Sequence, residues 1–206
     1  PSDIEGVREE EWDQGWSKEE VQAVAGTVNA GTLAKVRETE WSGEVHQQQC
    51  DDHAEGFSSK PKRLEGLMGT VIHGKCLLSR GIAVREFREG RGERTRTVWH
   101  YTESMVNAMI KGKKKTVNET FDYLAWLVIN FFVLGIDVTM YKRDIRKAFR
   151  FCPVAVDDLD VSWCVWMYQG VIWAAQHCGT HFGAVGSVWA FRRVGCFIAS
   201  VARRGP

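Results

Sequence analysis

The side chains in this 206-residue sequence whose types and spacing could do chemistry fall into three sets. The first is arginine. Between Val84 and Val98, Arg85, Arg88, Arg91, Arg94 and Arg96 interleave with Val, Phe and Gly, and residues 60–115 hold fourteen Lys/Arg against five Asp/Glu. Guanidinium presents planar donors that match phosphate, so a basic hairpin of this composition can grip a nucleic-acid backbone or a triphosphate. The same pattern also describes a solvated edge strand guarded against aggregation by charge. The second set has metal-ligand types. His46, Cys50 and His53 could share one helical face, and His177 and His181 stand four apart. A closed zinc site wants four ligands, and no second Cys or His pair follows at finger spacing, so both groups read more simply as structural, with Asp51 and Asp52 marking a solvated turn. The third is Asp144, which taken alone is a strand-end or helix-cap carboxylate.

Three ordered blocks change the weight of these residues. The first runs Arg94-Thr95-Arg96-Thr97-Val98-Trp99-His100-Tyr101 and on to Asn107. The second is Asp144-Ile145-Arg146-Lys147-Ala148-Phe149-Arg150-Phe151-Cys152-Pro153-Val154, and the third is Gln176-His177-Cys178-Gly179-Thr180-His181-Phe182-Gly183-Ala184-Val185-Gly186-Ser187. In order and spacing they resemble the fingers strand, the metal-binding palm strand and the Phe-Gly turn of retroelement-type reverse transcriptases, over roughly residues 80–206. The resemblance implies an RNA-directed DNA polymerase that transfers nucleotides with two magnesium (Mg2+) ions held by palm carboxylates. On that likeness Asp144 matches the first catalytic, metal-binding carboxylate, and Phe149 the aromatic gate that favours deoxynucleotides. Arg96, with Arg94, would neutralise the triphosphate; Phe182 would contact the nucleotide, and Gly183 would allow close backbone approach. Arg85, Arg88 and Arg91 would contact nucleic acid, which with dNTP is the implied partner.

The departures from the family pattern are equally specific. The paired-aspartate motif expected some tens of residues beyond Gly183 is missing, and no Asp or Glu follows Asp160. A lone carboxylate is a poor two-metal site, so this chain as given is expected not to polymerise. Trp99 and His100 stand where relatives often carry acids. A fragment or degenerate derivative of a polymerase is therefore the first reading. The alternative is a non-catalytic structural subunit of a larger, membrane-associated or soluble assembly, with protein partners packing on its aromatics. A plain nucleic-acid-binding module is a third.

The elements that would position these groups follow from patterning. Net charge is +1, but residues 1–59 carry four Lys/Arg against fourteen Asp/Glu, and residues 60–206 carry 23 against 12. This predicts an acidic N-terminal arm and linker over 1–59 and a basic fingers/palm-like domain over 60–206. The arm could shield the basic body, bind a basic partner or simply be solvated. Ser17-Lys18-Glu19-Glu20 is a capping box ahead of Val21, Val24 and Val28, which predicts a short helix. From Thr39 to Lys62 the polar, aperiodic composition predicts a linker.

Thr116-Val117-Asn118-Glu119 is a second capping box, ahead of an almost wholly apolar run from Phe121 to Ile136. It predicts a buried helix, with Leu124, Leu127, Val128 and Phe131 packed under the strand bearing Asp144. A membrane span through 121–136 would need roughly 20 such residues, so it is not favoured. Phe149, Phe151, Trp163, Trp166, Trp173 and Trp189 are expected in the core. Six scattered cysteines with no Cys-x-x-Cys pair, and no basic-then-apolar leader, point to reduced thiols in an intracellular protein. The predicted fold class is α+β: an antiparallel sheet with packed helices, as in partial polymerase fingers and palm, preceded by the partly helical arm.

Overall fold

The computed structural model describes residues 16–69, 72–88, 90, 92–110, 121–137 and 147–202, with backbone alone for 88, 121–124, 127, 189 and 196–202. The first helix starts where the capping box predicts. The Ser17 hydroxyl accepts from the Glu20 amide at 3.2 Å and the Glu20 carboxylate accepts from the Ser17 amide at 2.7 Å, opening α1, Lys18–Ala23. Val21 is fully buried, and after a break at Val24 the chain continues as α2, Ala25–Leu33. Asn29 on α2 donates to the Cys76 carbonyl at 2.7 Å and accepts from the Leu78 amide at 2.9 Å. A polar side chain thereby pins α2 to the start of the sheet.

The predicted linker is instead a helix, α3, Ser42–Ala54. Its sequence lacks an apolar stripe because polar contacts hold it. Gln48 donates to the Thr95 carbonyl at 2.9 Å and accepts from the Thr97 hydroxyl at 2.9 Å, while Asp52 is buried against a distant arginine. Only Val45 carries the ordinary apolar signal.

Beyond α3 come the strands β1, Lys62–Arg63; β2, Leu78–Arg88; β3, Gly92–Trp99; β4, Trp163–Tyr168; and β5, Val171–Gln176. They form one sheet in the order β1-β5-β4-β2-β3. The basic hairpin forms as predicted, with β2 and β3 antiparallel from Gly81 opposite Trp99 to Arg88 opposite Gly92. The sheet is mixed, however, because β2 and β4 run parallel, Leu78 opposite Trp163. This corrects the purely antiparallel expectation within the α+β class. Parallel pairing needs a long crossover, supplied here by the segments between β3 and β4.

Both faces of β4 are covered. Cys164 and Trp166 join Val21, Val45, Leu77, Trp99 and Ala175 on one side; Trp163 and Val165 join Val36, Leu64, Ile72, Leu78 and Ala174 on the other. A strand buried on both faces reads as a continuous apolar run, which is what Trp-Cys-Val-Trp is. Helices from residues 18–54 thus contribute to the same core as the basic strands. Trp163 and Trp166 are buried and Trp173 is half-buried, but Phe151 is 66% exposed, against the core expectation. The Trp189 side chain lies outside the description.

The remaining helices are α4, Val106–Met109; α5, Phe121–Val133; and α6, Val185–Ala202. The apolar run does form helix α5, but it is not buried. Trp126 and Ile129 are 60% exposed, Phe132 82% and Val133 76%, with Val128 and Phe131 half-buried. Helix formation needs only local pattern and length, whereas burial needs a partner surface. The capping box at 116–119, the side chains of Leu124 and Leu127 and the strand expected to bear Asp144 fall outside the described residues. No described helix is long and apolar enough to cross a membrane.

Deleting residues 1–59 is expected to abolish cooperative unfolding of the remainder, since α1, α2 and α3 supply Val21, Ala25 and Val45 to the core. The milder change Val45→Ala should lower stability by about 2 kcal/mol, the usual size for removing two buried methyl groups, read from urea midpoints.

Candidate functional site

The Phe182-Gly183 turn enters α6 and packs on the end of β3. Gly183 has φ +102°, a conformation open to glycine, and an added Cβ would collide with the Trp99 carbonyl oxygen. Asn107 clamps the turn: its side-chain amide donates to the Gly183 carbonyl at 2.9 Å and its carbonyl oxygen accepts from the Val185 amide at 3.0 Å. So held, the Phe182 ring lies edge-on to Phe149 with centroids 4.8 Å apart, and Phe149 also meets Phe191 at 5.5 Å. Arg96 sets its guanidinium carbon 5.2 Å from the Phe182 ring centre and pairs with Glu86 at 2.9 Å. Phe182 remains 45% exposed. The structure therefore brings together Arg96, Phe149, Phe182 and Gly183, three segments far apart in the chain, as a cation and two aromatic rings around a tight backbone turn.

The other predicted residues have different placements. Arg94 is exposed, two residues from Arg96 on the same face of β3 and opposite Glu86 in register. Arg85 points to the other face, where it pairs with Glu44 at 3.4 Å and with Glu93, bonds the Thr95 hydroxyl at 2.9 Å and lies over the Trp41 ring. Those contacts tie the hairpin to α3. Arg88 ends β2 opposite Gly92, its side chain outside the description, and Arg91 and Asp144 lie outside the described residues altogether.

Magnesium takes hard oxygen donors, usually carboxylates. The described residues bring no set of carboxylates to the Phe149–Phe182 cluster, where Glu86 is engaged with Arg96, so they do not by themselves fit the implied ion pair and no step is routed through it.

Behind the aromatic pair lies a network that the sequence analysis missed. Arg150, next to Phe149, bonds Asp52 of α3 at 2.5 Å and reaches His177 Nδ1 at 3.1 Å and both ring nitrogens of His181. Lys147 adds a 3.3 Å contact to Asp52 and a 2.9 Å contact to Glu55. The imidazole centroids are 3.9 Å apart, and the backbone of Arg150 is so close to Gly179 that a Cβ there would strike its carbonyl. Burial, helped by the Arg150 charge, holds His177 well below the ordinary imidazole range; burial, His177 and Arg150 do the same for His181. Both are neutral at pH 7.

Cys164 lies within 4.8 Å of both imidazoles, the one ligand-type cluster among the described residues. Burial pushes its thiol well up, so it stays protonated. Arg150 can only donate, so an imidazole nitrogen that receives its N–H has its lone pair spent and the other nitrogen carries the proton. The cluster is thus built around a guanidinium, and a second cation there would face it. His46, Cys50 and His53 do not converge either: His46 stacks on Tyr168 at 4.4 Å and accepts from Trp166 at 3.2 Å, and His53 meets the Ser58 carbonyl at 3.1 Å. The sequence carries little signal for the Arg150 network: Asp52 is one of three acids in residues 42–54, Arg150 stands inside an aromatic motif, and nothing local pairs them.

No protein-family profile, no curated protein and no solved structure matches the chain.

The fold is expected to lose stability on acidification from pH 6.5 to 5. Unfolded imidazoles take up protons below about pH 6.5 while the buried pair stays neutral, so stability is full above that pH and falls as pH drops, by at most about 1.4 kcal/mol per pH unit per histidine. Urea midpoints across that window test it. Asp52→Asn should cost about 3 kcal/mol at pH 7, the low end for breaking a buried pair, because it removes the carboxylate from a largely but not fully buried Arg150 charge.

Proposed function

We propose that the chain is a fingers-and-palm portion, or a degenerate derivative, of a reverse-transcriptase-type polymerase, and that its surviving function is to bind a nucleoside triphosphate on a nucleic-acid strand. One observation carries this reading: Arg96, Phe149, Phe182 and Gly183, taken from three separate motifs of the sequence, meet in one partly open cluster. The arrangement suits the ligand chemically. A guanidinium can take phosphate oxygens, and the exposed Phe182 face can take a base or sugar. In the free protein Glu86 neutralises Arg96, and a triphosphate would compete with it for the guanidinium. Arg94, exposed beside it, is placed to add charge toward a strand. Asp144 would be a metal-binding carboxylate in this reading.

A second reading has its own support. Five side chains of the Trp126 to Leu134 stretch lie between 60% and 82% exposed, an apolar surface of the kind that protein partners cover, which favours a non-catalytic subunit of a larger assembly. The reading without a membrane is preferred, since α5 is too short to span one.

The purified chain is expected to bind dTTP in the presence of magnesium and to bind single-stranded RNA with affinity that falls steeply as salt rises. Arg96→Ala should weaken dTTP binding about tenfold, the size of a lost charge-assisted contact, with Phe182→Ala weakening it less. Primer extension with magnesium or manganese is expected to be absent. Triphosphate binding that ignores Arg96→Ala, or extension abolished by Asp144→Ala, would refute this reading.

A further inference from the structure

We propose that the cleft between the start of α6 and α4 is a binding site for a compact, uncharged, largely apolar small molecule that carries one hydroxyl or carbonyl group. The cleft has a volume of about 450 Å³, within the range of about 300–1,000 Å³ usual for small-molecule sites. Its walls include Tyr101, Val106, Met109, Ile110 and Val161, and Gly186 leaves room where a larger side chain on α6 would approach Ile110. Such a lining favours apolar surface.

The polar specification comes from Ser187. It lines the cleft, is 1% exposed, and its hydroxyl has no hydrogen-bond partner among the described residues. A buried hydroxyl left unpaired is unfavourable, and a ligand oxygen that meets it removes the penalty while gaining orientation. The other buried polar side chains that line the cleft are already engaged: His181 by Arg150, Ser162 by the Leu159 carbonyl and Tyr101 by Cys164. Lys18, which also lines the cleft, is held by Asp160 at 2.9 Å and Asp158 at 3.4 Å. The Lys18 ammonium is thereby neutralised, and the apolar interior disfavours a charged ligand of either sign. The site contains neither Arg96, Phe149 nor Phe182, so it stands independently of the triphosphate reading.

The test uses the full chain with 2-naphthol and naphthalene as probes, followed by ligand-observed NMR titration, with circular dichroism to confirm that each variant is folded. Saturable binding of 2-naphthol is expected, about fivefold tighter than naphthalene, the ratio one net hydrogen bond provides. Ser187→Ala should erase that difference and leave naphthalene binding unchanged. Ala155→Trp, placed at an exposed wall position, should fill the cleft and weaken both probes by tenfold or more. The proposal is overturned by no saturable binding, by equal affinity for the two probes, or by binding indifferent to both substitutions, which would put the probes on the exposed face of α5.

Discussion

A guanidinium buried in a protein must be paired, and the way Arg150 meets that demand organises the rest of the molecule. Its partners come from places with no sequence proximity: Asp52 from α3, His177 from the end of β5, and His181 from the approach to α6. Each partner fixes an element. Asp52 draws a polar helix onto the sheet, and the two neutral imidazoles hold the strand-to-helix connection against Trp99, whose ring lies 5.6 Å from His177 and 6.0 Å from His181. An ion pair of this kind adds little net stability over a well-packed apolar alternative. Its effect is to make other arrangements costly, since any shift of α3 or of the connection strands a charge.

The candidate site inherits its geometry from that network. Phe149 is covalently next to Arg150, and Phe182 is next to His181, so anchoring the arginine on the histidine places the two rings edge to edge at 4.8 Å. The third member arrives by a separate route, through the hairpin register that sets Arg96 opposite Val84 and through the contacts of Arg85 and Gln48 that hold the hairpin to α3. Arginines in one run thus have divided surroundings set by strand alternation: Arg85 on the α3 face ties the hairpin to that helix, and on the opposite face Arg96 pairs with Glu86 beside the Phe182 ring while Arg94 is exposed.

Helix α5 shows the limits of local pattern in a different way. Its composition is that of a buried helix, yet its described side chains from Trp126 to Val133 are largely exposed. In a reverse-transcriptase-like parent or in an assembly subunit the same surface would need covering, so it bears on both proposed readings without choosing between them. The cleft by α6 is the reverse case, a largely apolar space walled by the fold, with a buried hydroxyl that has no partner among the described residues.

What the sequence by itself determined is whatever depends on near neighbours. The capping box at Ser17, the β2–β3 hairpin, the helical state of α5 and the burial of Trp163 and Trp166 follow from spacing, turn glycines and apolar runs. The meeting of Arg96, Phe149, Phe182 and Gly183 is not legible in spacing, which says nothing about contacts across 87 residues. Tertiary structure decided the rest. Residues 42–54 look like a linker because their helix is held by hydrogen bonds and an ion pair to remote partners, not by an apolar stripe. Parallel pairing of β2 with β4, the burial of Asp52 and the exposure of Phe151 and α5 likewise depend on what packs opposite. A side chain's type states what it can pair with, but desolvation makes the pairing compulsory only once the fold has brought a partner and excluded water.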